Sequence, residues 1–116
     1  MSQKLFLPDP AKLVMGVLAS SQLLLEKAKT VLEENFSSFD LQGEIKPFES
    51  ATQYYCQEMG PQIWRQFLSF KELVPCEKLA SIKMLTNELE KEWTKEGKRG
   101  VNLDPGYVTL DKLVVA

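Results

Sequence analysis

Two rhythms of apolar residues run along this chain, one helical and one extended. Behind the stiff lead-in of Pro8 and Pro10, Lys12-Leu-Val-Met-Gly-Val-Leu-Ala19 is a near-continuous apolar run. Its length predicts a strand buried on both faces. Ser20 or Ser21 can then cap a helix by accepting a backbone N–H bond. From Gln22 to Phe36, the residues Leu24, Leu25, Ala28, Val31, Leu32 and Phe36 recur at helical spacing. Glu26, Lys27, Lys29, Glu33 and Glu34 fall mostly elsewhere, which predicts an amphipathic helix resting one face on a sheet.

Ser37-Ser38 close that helix. Leu41 to Phe48 reads as a weaker strand, irregular or at an edge because of Gly43 and Pro47. Glu49 to Gly60 is polar, aromatic and irregular, whereas Ile63 to Phe70 is aromatic-rich and strand-like. Behind Pro75 a second helix is expected over Cys76 to Glu96, with Leu79, Ile82, Leu85, Leu89 and Trp93 along one face. Gly97 fits its C′ position. Val101 to Val108 reads as a strand or extended loop broken by the turn chemistry of Asp104-Pro-Gly106, and Thr109 to Leu113 as a short helical turn.

The order strand, helix, strand, strand, helix, strand predicts an α+β fold, a ferredoxin-like βαββαβ sandwich with two helices on one face of a mainly antiparallel sheet. A doubly wound sheet is the competitor, but the adjacent second and third strands break its strict alternation. The 116 residues suit a single domain over 1–116. The chain ends inside the apolar run Leu113-Val-Val-Ala116, so the reading is of a domain lacking C-terminal strands.

Composition narrows the function classes. Fourteen basic residues against sixteen acidic give a net charge of −2, without the basic surplus that nucleic-acid binding calls for, so no nucleic-acid partner is expected. The dense basic stretch Lys95 to Arg99 reads as a solvated helix C-terminus. Cys56 and Cys76 lie far apart; they read as free thiols in a reducing compartment, with a lone disulfide the alternative. No signal-like or membrane-length apolar run occurs, so a cytoplasmic protein is expected.

The chain has no histidine, which removes Ser–His and Cys–His pairs and the commonest neutral-pH base. Its six glycines match neither the P-loop nor the dinucleotide fingerprint. What remains are carboxylates, amides, tyrosines and scattered cations. In Asn102-Leu-Asp104, alternation places both polar side chains on one side of an extended segment, where two oxygen donors could orient a ligand or Mg²⁺; an Asx-type turn is the alternative. Tyr54, Tyr55 and Glu58 could line a pocket or pack over a sheet edge. Arg65 interrupts an aromatic strand, as a ligand anchor or in a solvent-face salt bridge. Asn87 is unusual inside a helix and reads as either partnered or an exposed amide.

Lys12-Leu-Val-Met-Gly-Val-Leu-Ala-Ser20, Tyr54-Tyr55 with Glu58-Met-Gly60, Arg65-Gln-Phe-Leu-Ser-Phe70, Ile82-Lys-Met-Leu-Thr-Asn-Glu-Leu-Glu90 and Gly97-Lys-Arg-Gly-Val-Asn-Leu-Asp-Pro-Gly-Tyr107 together carry a further signal. Through them the chain resembles a prokaryotic family, the domain of unknown function 4416. The resemblance implies no assigned reaction or cofactor. Some members carry the label GTP-binding protein, to which this chain brings neither a P-loop nor an Asn-Lys-x-Asp stretch. It also implies further strand-like segments past residue 116.

Three functions compete. The first is binding of a small-molecule or nucleotide-related ligand by Tyr54, Tyr55, Glu58, Arg65, Asn87, Asn102 and Asp104, with Mg²⁺ as a candidate companion. The second is a non-catalytic interaction or scaffold domain, self-associating through an exposed strand edge and presenting Trp64, Phe67 and Phe70 as an apolar patch. The third, ranked last, is an enzyme using Glu58 or Asp104 as a carboxylate base.

Overall fold

The computed structural model describes residues 10–48, 58–109 and 113–116. The apolar run forms β1, Pro10–Ala19, the centre of a six-stranded sheet. Its alternate residues Leu13, Met15, Val17 and Ala19 are fully buried. Ser21 caps the following helix α1, Gln22–Asn35, its hydroxyl accepting from Leu24 N at 3.1 Å. Leu25, Ala28 and Leu32 form the buried stripe of α1 against that face of β1. Each buried leucine contributes about 1.5–3 kcal/mol.

The chain then builds the far side of the sheet with β2, Phe39–Gln42, β3, Lys46–Pro47, and the long β4, Trp64–Pro75. The weak strand expected over 41–48 is therefore two short pieces, parted near Gly43, whose N–H donates to Phe67 O at 2.8 Å. β4 runs past Phe70 to Pro75, with a shift in its register against β1 between Lys12 and Val14. In that irregular stretch Lys71 N donates to Ser38 O at 2.8 Å and Glu72 N to Ser37 Oγ at 3.2 Å, so backbone groups that miss the ladder are satisfied by the loop after α1.

The second helix is shorter than its periodicity suggested. A 3-10 turn over Cys76–Lys78 leads into α2, Leu79–Glu90, which tightens into a second 3-10 turn at Lys91–Trp93. Thr94–Lys95 (β5) and Lys98–Arg99 (β6) then pair as a hairpin. Gly97 is not a helix cap. It and Glu96 take φ values of 76° and 53° as the two turn residues of that hairpin, the positive-φ pair a tight two-residue turn requires.

The last strands are β7, Val101–Val108, and β8, Leu113–Val115. Asp104-Pro-Gly106 does not break β7. The Leu103 N–H points away from β1 toward Glu90, so Pro105, two residues on, lacks its N–H on that same outer side and the ladder to β1 loses no donor. Of the helical turn expected over 109–113, residues 110–112 lie outside the described residues and Leu113 is in β8.

Sheet order is β2-β4-β1-β7-β8, with β3 also on β4, and every pairing is antiparallel. The fold is α+β, with both described α-helices packed into one core on one side of the sheet. The strand order is compatible with the expected βαββαβ sandwich. Among the described residues no helix is long and apolar enough to cross a membrane.

Candidate functional site

Strand alternation sends every second residue of β1 to the face the helices leave uncovered. There Gly16 lies between Phe67 of β4 and Asp104 of β7, and Leu18 between Arg65 and Asn102. Met59 and Ile63, with Phe48, cover the Leu18 end of this face. Beyond them it opens into a hollow of about 340 Å³, whose lining includes Val14, Gly16, Phe48, Arg65, Phe67 and Asp104. Gly16 forms its floor at close quarters: a Cβ there would stand 3.3 Å from the Phe67 ring.

Arg65 stands at the rim. Its guanidinium carbon is 5.1 Å from the Phe67 ring centroid and 5.8 Å from that of Phe48. Two aromatic faces near a guanidinium stabilise it by cation–π attraction while leaving edge N–H groups available. Among the described residues no carboxylate pairs with it.

A chain of polar contacts runs from the covered end to the hollow. Arg99 of β6 donates twice to Glu58, both bonds 2.9 Å, and its Nη1 donates to Asn102 Oδ1 at 2.5 Å and Glu90 Oε1 at 3.4 Å. Asn102 Nδ2 donates to Asp104 Oδ2 at 2.8 Å, and Lys83 Nζ reaches Asp104 Oδ1 at 3.3 Å. Glu90 and Lys83 also bracket the outer edge of β7: Leu103 N donates to Glu90 Oε2 at 2.7 Å, and Lys83 Nζ donates to Leu103 O at 3.3 Å. Two side chains of α2 thus replace the strand that would otherwise pair there.

That replacement explains the face α2 buries. The expected stripe of Leu79, Ile82, Leu85, Leu89 and Trp93 is rotated, so that Ile82, Thr86 and Glu90 are buried while Leu85 is 36% exposed. Leu89 and Trp93 still pack on the core.

The Arg99 hydrogen bonds hold the Glu58 carboxyl below its ordinary value of 4.5, against the opposing effect of burial. Asp40 is held below 3.8 by hydrogen bonds from Lys12 and then Ser69. Both groups have a folded-state pKa below the unfolded one, so the stability they contribute is complete above the ordinary carboxylate range and lost as pH falls through their lowered values. Urea midpoints measured from about pH 6 downward should therefore fall below about pH 4.5, and Glu58→Gln should flatten that acid limb. An unchanged limb in the variant would show that Glu58 takes no part in it.

Of the residues singled out by sequence, the structure brings Glu58, Asn102 and Asp104 into one hydrogen-bonded chain and puts Arg65 on the same sheet face. Asn102 and Asp104 share a side, as alternation required, but not in an Asx turn. Nor are they arranged to hold Mg²⁺: both Asp104 oxygens and the Asn102 amide oxygen already accept from cationic or amide donors. No group of three or more His, Cys, Asp or Glu suited to a metal occurs among the described residues. Asn87 is exposed and bonds to none of the group, and Tyr54, Tyr55 and Cys56 lie outside the described residues.

Arg99, Glu90 and Lys83 were missed. Arg99 is half-buried in ion pairs rather than part of a solvated helix end. A signal existed for it, since a hairpin turn at Glu96-Gly97 places Arg99 two residues before the strand that carries Asn102. The expected patch of Trp64, Phe67 and Phe70 does not form either. Phe70 is buried among the helices and Phe67, an odd number of residues away, is 59% exposed on the other face.

No curated protein and no solved structure matches this sequence. One family model does, covering residues 9–116 under the description "Domain of unknown function (DUF4416)". With nearly the whole chain matched, including every strand, both helices and the polar chain from Glu58 to Asp104, this protein belongs to the DUF4416 family.

Proposed function

We propose that this protein binds a small molecule on the uncovered face of its sheet, in the hollow between Arg65 and Asp104. The observation that carries the reading is Arg65: a cation with no carboxylate partner among the described residues, near two phenylalanine rings, at the rim of an otherwise apolar hollow. Ligand sites are typically concave and mostly apolar, with a few placed polar groups and volumes of roughly 300–1,000 Å³. Here Phe48 and Phe67 offer ring faces, the Gly16 floor leaves room, and Asp104 closes the far wall with a carboxylate fixed by Asn102 and Lys83.

A thermal-shift screen against nucleotides and common metabolites, with and without Mg²⁺, tests this. A ligand at a hundredfold excess over its Kd stabilises the folded state by about 2.7 kcal/mol. The shift should vanish in Phe67→Ala while the unliganded midpoint stays near wild type, because Phe67 is mostly exposed. A hit that survives both Phe67→Ala and Arg65→Ala would place the ligand elsewhere.

A second reading draws on the same face. Leu41, Phe67, Leu113 and Val115 are 59–68% exposed there, a group of apolar side chains on one face of the kind that can mark an interaction surface. Self-association through this face or the β8 edge would appear as a dimer in light scattering, reduced by Phe67→Ala, together with a blank ligand screen.

A further inference from the structure

We infer that the ligand of this site is a small organic monoanion, an apolar body carrying a single carboxylate-type group, and not a nucleoside polyphosphate. The inference rests on the binding reading above and narrows it by the charges that face the hollow. On this side of the sheet Lys12 is paired with Asp40, which also accepts from Ser69 Oγ at 2.5 Å. Lys46, directly across the ladder from Arg65, pairs with Glu44 at 3.5 Å. Asp104 pairs with Lys83. Among the described residues Arg65 is the one cation lining the hollow, and no carboxylate pairs with it.

One such cation asks for one anion. Both rings lie within 6 Å of the guanidinium, whose planar fork can bind a carboxylate through two parallel N–H groups. Across β1 and two residues further along, about 12 Å away by strand spacing and rise, Asp104 faces the same hollow already matched by Lys83, so among the described residues the lining holds no second cation for a further negative group. The anionic end therefore sits at Arg65 and the body extends over Gly16 toward Val14, Leu113 and Val115. Size agrees. At about 340 Å³ the hollow lies toward the low end of the roughly 300–1,000 Å³ typical of small-molecule sites, which suits a substituted ring or a medium acyl chain.

Isothermal titration of the full chain with indole-3-acetate and octanoate, beside their uncharged primary amides, AMP and GTP, tests this. At least one acid should bind roughly tenfold tighter than its amide, the worth of one charge-assisted contact. Arg65→Gln should erase that gap and leave the amide unchanged, Arg65→Lys should keep part of it, and Phe67→Ala should weaken acid and amide together. Equal affinity of acid and amide overturns the monoanion assignment while leaving the binding reading intact. AMP or GTP binding tighter than every monoanion overturns it as well. Silence from all probes, acids, amides and nucleotides alike, overturns the assignment together with the binding reading it rests on.

Discussion

Arg99→Ala should destabilise this protein by about 3 kcal/mol, the lower end of the range for removing one partner of a buried ion pair. The side chain is 24% exposed and stands between Glu58, 18% exposed, and Glu90, 7% exposed. Without the guanidinium both carboxylates keep their desolvation cost and lose the charge that offsets it. Asn102 loses the donor to its amide oxygen as well, and an unsatisfied buried acceptor adds to the penalty. Urea unfolding of Arg99→Ala, Glu58→Ala and the double variant checks this. The double variant should be markedly less destabilised than the sum of the singles, by about 1–3 kcal/mol, because the two residues share one interaction. Lys91→Ala is the control: its pair with Glu88 is 73% and 65% exposed, and little should change. If Arg99→Ala behaved like Lys91→Ala, the polar chain would be a surface feature with no hold on the strand edge.

Phe70→Ala should cost about 3–5 kcal/mol, through lost transfer energy and the cavity left behind. Phe70 is fully buried where β4 crosses under α1, with the Phe36 ring edge-on at 5.5 Å and the Phe39 ring tilted at 5.1 Å. Such ring pairs are worth about 0.5–1.5 kcal/mol each beyond their buried area. Phe70→Leu should recover most of the loss and forfeit only the ring contacts. Phe67→Ala, three positions earlier in the same strand, should cost far less because Phe67 is 59% exposed on the opposite face. The contrast tests the face assignment itself: comparable losses at the two positions would mean that something covers the Phe67 side of the sheet.

The two variants separate what could be read along the chain from what could not. Alternation and helical spacing act between neighbours, so β1, α1, the Ser21 cap and the α+β class were legible from the residues themselves. The shared side of Asn102 and Asp104 was legible for the same reason, being a consequence of period two. The end of α2 was not. Glu96-Gly97 suits a helix stop as well as a hairpin turn, and only pairing of Thr94–Lys95 with Lys98–Arg99 selects the turn. Thr86 and Glu90 look like solvent residues in any hydropathy pattern; Glu90 is buried because it accepts from the outer edge of β7, and Thr86 lies on the same helix face with its hydroxyl donating back to Lys83 O.

By itself, the sequence determined the class of fold, the identity of the central strand, the first helix with its cap, and the absence of histidine and P-loop chemistry. Those properties are local or compositional, set by spacing and by residue type. Tertiary structure alone decided that Arg65 stands without a carboxylate among the described residues while Lys12, Lys46 and Asp104 are matched, that Arg99 joins Glu58 to Asn102, and that Gly16 lies at the floor of a hollow. Each of these is a relation between residues far apart in the chain, fixed by strand order and register. A shift of one residue in either would carry the side chains to the other face.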